Sequence, residues 1–478
     1  MDWPQYQAVH SRRRFFEKFT SGIWLAALSH VLRSEGRAGD EALLPRKPHF
    51  TPKARNVIFM FMEGGPSQID LFDPKPQLVK YQGQPLPDSL IKAYGSKLAF
   101  AQPDSAVLPS GRIFKRWGQS GIEMSDWLPH IASNADDLCL IRSMHTDAFN
   151  HHPGQLLLFS GATQFGRPSL GAWSVYGLGS ESQNLPAFVV LVSGRGTSGG
   201  VTNWTNGFLP STYQGTVFRS SGDPILYLSN PAGLSPKTQR VTLDAVKELN
   251  EQHMVDSRDM AIASRIASYE LAFRMQTHAP DLLDFSKEPA GTIEDYGINQ
   301  EVSRPYGANC LLARRMIERG VRFVLLADAS WDDHSDLNEK LKKNCDRTDR
   351  PIGALIRDLK QRGLLDSTLL VWCGEFGRTA MVEHRGGNAP TPEKAGRDHH
   401  PFAYSLWMAG GGIKGGRVVG KTDDFCFYPA EDPIHIHDLQ ATILHSLGFD
   451  HTRLTYRHMG RDFRLTDVGG NVVAKLLA

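Results

Sequence analysis

From about Arg46 onward the chain is a succession of short apolar runs separated by longer stretches of mixed polarity. Runs rich in β-branched, aliphatic and aromatic residues at 56–62, 138–144, 187–192, 321–327, 368–373 and 404–409 predict buried strands, because a strand covered on both faces has no polar side to alternate with. Between them, apolar residues return at helical spacing over 303–319, 350–362 and 437–447. Strand and helix alternating in this way predict an α/β fold, a doubly wound and mostly parallel sheet with helices on both faces. The region 194–296 breaks the rhythm: it is rich in Gly, Ser, Thr and Asn, then carries a polar helical stretch over 244–275, and it reads as an inserted cap. Ligands of such sheets sit beyond the C-terminal ends of the strands, so the loops that follow the strands are where chemistry is expected.

Composition changes this picture in one respect. With 478 residues, 41% hydrophobic and 22% charged, the chain has ordinary globular usage, and disorder, collagen-like repeats and coiled coil are excluded. A formal net charge of +2 gives no global field for nucleic acid or an acidic membrane, so no nucleic-acid partner is expected. Five scattered cysteines without a Cys-x-x-Cys pair exclude a disulfide scaffold, a zinc ribbon and a thioredoxin-like site. The 18 histidines are the exception, because they bunch in motifs, and they direct attention to metal binding or acid/base chemistry.

The N-terminal stretch has a different character. Ser11-Arg12-Arg13-Arg14-Phe15-Phe16-Glu17-Lys18 precedes a short apolar run over 19–28, a layout that resembles a twin-arginine export signal. No clean Ala-x-Ala site follows Leu28, and no later segment offers the roughly 18 apolar residues a membrane span needs. The expectation is a leader and linker over 1–45, a domain over 46–478 with its insertion around 194–296, engagement of the twin-arginine machinery, no integral membrane domain, and a periplasmic or secreted location in a bacterium.

The strand-end loops carry the candidate chemistry. The first strand runs into Glu63-Gly64-Gly65-Pro66-Ser67-Gln68-Ile69-Asp70, where paired glycines allow close backbone approach to a ligand, or simply a structural turn with a helix cap. After the second strand comes His145-Thr146-Asp147-Ala148-Phe149-Asn150-His151-His152, a polar cluster that packing does not explain. The strand at 321–327 delivers Trp331-Asp332-Asp333-His334, in which residues two apart share a face, so that Asp332 and His334 can converge on one ion. Glu375-Phe376-Gly377-Arg378 follows the next strand, and Arg397-Asp398-His399-His400 precedes the last. Imidazole mixed with carboxylate suits zinc, manganese or iron better than calcium. Arg378 and Arg397 beside a dication suit a tetrahedral oxyanion, or alternatively pair with local carboxylates.

These motifs, with Gly166-Arg167-Pro168-Ser169-Leu170-Gly171-Ala172-Trp173 and Gly460-Arg461-Asp462-Phe463, resemble the family called domain of unknown function 1501, over nearly the whole chain. Members of that family look like distant relatives of the alkaline phosphatase and sulfatase superfamily, in which a doubly wound sheet carries one or two metal ions and a side-chain nucleophile attacks a phosphate or sulfate ester. The resemblance implies metal ligation by Asp332, His334, Glu375 and His399 or His400, with Asp70, or less so Glu63, as the first-strand carboxylate. Phe376 stands where a ligand His would be usual. The expected nucleophile position, about ten residues before Gly161, falls on His151, flanked by Asn150 and His152, and no Cys-x-Pro-x-Arg occurs, which excludes a formylglycine sulfatase.

The expectation is therefore a metal-dependent hydrolase of small-molecule or glycan esters of phosphate or sulfate. Its attacking group would be a metal-activated water, His151 or, from slightly upstream, Thr146, with Arg378 steadying charge and Asn150, His152 and Arg397 binding substrate. The alternative is a non-catalytic exported binding protein that keeps the fold and a structural ion.

Overall fold

A computed structural model describes residues 43–95, 105–194, 196–219, 225, 230–231, 233–257, 260–383, 391 and 393–478. The expected leader at 11–28 lies outside the described residues. The strands of the central sheet are β1 (Asn56–Glu63), β2 (Leu138–His145), β3 (Phe188–Ser193), β4 (Thr216–Phe218), β5 (Phe323–Ala329), β6 (Thr368–Cys373), β7 (Tyr404–Ala409), β8 (Arg417–Val419) and β9 (Ile434–His435). They form one sheet in the order β8-β2-β7-β6-β1-β5-β3-β4, with β9 also beside β2. Every pairing is parallel except those of β7, which runs antiparallel to β2 and β6.

All eight residues of β1 are buried, which is why its sequence shows no alternation. The two faces are nevertheless distinct. Ile58, Met60 and Met62 share a core with residues of helices α5 (Arg304–Glu318) and α6 (Leu337–Gln361). Val57, Phe59 and Phe61 share the opposite core with α1 (His151–Ser160), α2 (Leu170–Leu178) and α7 (Ile436–Ser446). Helices thus cover both faces. The segment between β4 and α5 carries two long helices, α3 (Pro236–Ser257) and α4 (Met260–Leu283), where one polar helical stretch is expected from the sequence.

One helix corrects its expected boundary. α6 begins at Leu337, well before Arg350, because a thin apolar stripe of Leu337, Leu341 and Cys345 continues the buried face through a stretch that otherwise reads as polar. No helix among the described residues is long and apolar enough to cross a membrane.

Candidate metal centre

Parallel pairing brings the relevant strand ends level. Glu63 at the end of β1 pairs with Ala329 of β5, and Phe61 with Cys373 of β6. Because β7 is antiparallel, the residues that precede it, His399 and His400, arrive at the same edge. The handover from β5 is tight: Ser330 has φ +112°, a region that side-chain-bearing residues rarely adopt, and Trp331 N donates to the Glu63 carbonyl at 2.9 Å. Gly64, at φ +120°, lies so close to this turn that a Cβ there would stand 2.4 Å from the Asp332 nitrogen. The glycine is what lets the β1 loop pass Asp332.

Four side chains converge at this edge. Donor atoms of His151, Asp332, His334 and His399 all lie within 4.8 Å of one another. Asp332 Oδ1 is 2.7 Å from His334 Nε2 and 3.1 Å from His399 Nε2, and Asp332 Oδ2 is 3.3 Å from His151 Nε2. The far side of each ring is held. His151 Nδ1 meets Glu375 Oε1 at 2.8 Å, His399 Nδ1 meets the Phe149 carbonyl at 2.8 Å, and His334 Nδ1 meets Glu383 Oε2. Carboxylate and carbonyl oxygens only accept, so each Nδ1 carries a proton and it is the Nε2 of each ring that is turned towards Asp332. Three imidazole nitrogens and one carboxylate, with every outer nitrogen anchored, is the donor chemistry of a zinc-, manganese- or iron-type site, and the residues present fit such an ion.

The electrostatics agree. Burial would raise the Asp332 carboxyl, but His151, His334, His399 and Arg378 hold it far below the usual carboxylate range. Burial opposes the charged form of His151, yet Asp332 and Glu375 outweigh it and raise the ring to about 9, and Asp332 and Glu383 raise His334 likewise. His399, more deeply buried and facing Arg378, is pushed down to about 4. Positive charge is wanted beside Asp332, and the three rings share it unequally.

The other residues singled out from the sequence are placed differently. Glu375 has its carboxylate behind His151, where it also accepts from Gly64 N at 3.1 Å. His400 is turned away: its Nε2 meets the Phe427 carbonyl at 2.9 Å, and burial lowers it to about 4. Asp70 is buried in an ion pair with Arg397 at 2.8 Å and accepts from Ser67, so neither Asp70 nor Arg397 reaches the cluster. Arg378 is almost wholly buried and donates to the carbonyls of Gly64, Gly65 and Arg397 and to Asp332, which makes it a strut for that carboxylate. Glu63 bonds Gln155 and Ser198. Thr146 is buried, with a hydroxyl that has no hydrogen-bond partner. Asn150 caps α1 by its backbone alone, and His152 is exposed beside Phe165. Phe376 packs its ring against His399 and His151 with centroids 4.3 and 5.3 Å away, so the aromatic walls the cluster.

Sequence reasoning missed two groups, Glu383 and the Phe149 carbonyl. Neither has a local signal: Glu383 lies in the loop between Arg378 and His399, and a carbonyl has no residue identity to read.

The chain belongs to the family described as "Protein of unknown function (DUF1501)", whose profile matches residues 54–477. No curated protein matches it. Among solved structures, the PsFucS1 sulfatase from Pseudoalteromonas sp. is 12% identical, with 89% of this chain and 71% of that one covered at a TM-score of 0.35. The lipoteichoic acid synthase LtaP from Listeria monocytogenes is 9% identical, with 88% and 78% covered at 0.35. A protein in the alkaline phosphatase superfamily from Vibrio parahaemolyticus is 10% identical, with 86% and 70% covered at 0.31. Likeness at this level carries no functional argument.

Proposed function

We propose that this member of the DUF1501 family is an exported hydrolase of phosphate or sulfate esters that depends on a divalent metal, held by Nε2 of His151, His334 and His399 and by the Asp332 carboxylate. The observation that carries this reading is the convergence of three Nε2 atoms on one carboxylate, with the Nδ1 of each ring fixed by an acceptor of its own. A dication bound there supplies Lewis-acid polarisation of an ester's non-bridging oxygens.

The protein's own residues do the rest by positioning. Glu375, Glu383 and the Phe149 carbonyl fix the tautomers and planes of the three rings. Arg378 fixes Asp332 against the backbone of the β1 loop. Phe376 excludes water from one side. On this reading His151 is a ligand and not the attacking group, because its Nε2 faces Asp332. The export leader around Arg12-Arg13 and the single domain over 46–478 with its inserted region belong to the same proposal.

Elemental analysis of the purified protein, then turnover of nitrophenyl phosphate and nitrophenyl sulfate by wild type and His334→Ala, tests it. One bound zinc or manganese and turnover lost in the variant are expected. A protein that takes up no metal overturns the proposal. The second reading, a non-catalytic binding protein, is favoured by the absence of a serine, threonine or cysteine at the position of His151, and metal uptake without turnover would select it.

A further inference from the structure

Arg378 and Arg397, the guanidinium groups expected to receive an anion, are consumed by carbonyls and by Asp332 and Asp70. The cations that do face open space lie elsewhere. A cleft of about 550 Å³ opens beside the cluster and shares Asp332 with it. That volume is within the range of small-ligand sites. One wall is a face of α6, along which Lys340, Lys343, Asn344 and Arg347 recur at helical spacing.

The three cations are not equivalent. Arg347 bonds the buried carboxylate of Asp328, so its charge is answered within the protein. Lys340 reaches Ser335 Oγ at 2.9 Å and Asp336 at 3.8 Å, and Lys343 pairs with Glu339 at 2.6 Å, one turn away. Both pairs are solvent-exposed contacts of the kind that hold a side chain loosely and yield to a better anion. Of the two carboxylates in the lining, Asp332 is engaged by three imidazoles and Arg378, and Asp333 is almost wholly buried. The balance of the wall is positive.

We infer that Lys340 and Lys343 form a second anion subsite in this cleft, so that the substrate is an ester carrying, besides the group at the cluster, a further sulfate, phosphate or carboxylate. The inference rests on the reading of the cluster as the ester site. Two ammonium groups on flexible stems favour charge over fixed geometry, which suits a polyanionic saccharide better than one rigid headgroup.

The test compares binding of a disulfated disaccharide with that of the same disaccharide bearing one sulfate, by calorimetry, in zinc-loaded and in chelator-treated protein. Zinc-loaded wild type is expected to prefer the disulfated ligand by about tenfold, the product of two modest exposed charge contacts. In Lys340→Gln/Lys343→Gln the preference falls to near unity, while zinc content and affinity for the monosulfated ligand are unchanged. Lys343→Gln alone, at the more exposed of the two, keeps an intermediate preference and guards against a folding defect in the pair. A wild type without preference, or a double variant that retains it, overturns the inference. Failure of the cluster reading shows separately, as absence of zinc uptake and equal binding in zinc-loaded and chelator-treated protein, whereas failure of the subsite leaves zinc uptake intact and the preference absent.

Discussion

The Nε2 atoms of His334 and His399 lie 3.1 Å apart. Each ring has its Nδ1 committed elsewhere, to Glu383 and to the Phe149 carbonyl, so in neutral rings two lone pairs face one another. Such an approach is stable only with a cation between or beside them. A proton on one ring satisfies it in part. A dication satisfies it for both rings at once, and for His151 and Asp332 with them.

Ligands and the groups that orient them should respond differently to substitution. Asp332→Ala and His334→Ala should reduce bound zinc to background. Glu383→Ala removes only the acceptor behind His334 and should keep the metal with about 10–100-fold weaker affinity. Competition against a fluorescent chelator measures both, and equal losses in Glu383→Ala and His334→Ala would place Glu383 on the ion.

Arg378 is a strut, and its replacement should be costly in a way that surface arginine changes are not. Arg378→Lys cannot serve the carbonyls of Gly64, Gly65 and Arg397 together with Asp332, and it leaves buried acceptors unanswered. A loss of about 3–5 kcal/mol of stability is expected, with metal affinity lowered alongside. Denaturant unfolding reports it, and a change within about 0.5 kcal/mol would refute the buried network.

Gly64→Ala should disturb the metal centre without touching a ligand. Its φ of +120° and the 2.4 Å approach to the Asp332 backbone leave no room for a methyl group, so the loop carrying Asp332 must shift. Reduced zinc affinity with circular dichroism unchanged is expected, whereas Gly83→Ala, where a Cβ meets nothing within 4 Å, should leave zinc affinity intact. Normal zinc affinity in Gly64→Ala would remove the close-approach argument.

Acid should destabilise the chain through His400. Its folded-state value is lowered to about 4 by burial, against about 6.5 in an unfolded chain, so the unfolded state binds the proton first. Stability is therefore intact above about 6.5 and falls as pH drops towards 4, by an amount on the order of 3 kcal/mol from this group. His400→Gln can still donate to the Phe427 carbonyl and cannot titrate, and its stability measured in chelator should fall less steeply over that window. An unchanged slope would mean that other groups govern acid unfolding.

Much of the architecture was legible in the chain. Buried parallel strands must be apolar on both faces, and that alone marked β1, β2, β3, β5, β6 and β7. α6 was legible only in its second half, because its first half buries so thin a stripe. Asp332, His334 and His399 could be picked out because residues of this chemistry follow or precede strands that end on one edge. Which of two adjacent histidines faces that edge was not legible: His399 and His400 differ by one position along an extended backbone, and their side chains point opposite ways.

By itself, then, the sequence determined the alternation of strands and helices, the edge at which the polar loops gather, and the absence of a Cys-x-Pro-x-Arg nucleophile motif, since these follow from local pattern and identity. The tertiary structure alone decided the partners. It put His151 in the cluster, set Arg378 against Asp332, gave Asp70, His400 and Arg397 other partners, and supplied Glu383 and a carbonyl that no motif announces. The reason is physical: a strand end confines a residue to a neighbourhood, but whether a donor atom meets an ion, a carbonyl or a buried carboxylate depends on approaches of a few ångströms between segments hundreds of residues apart.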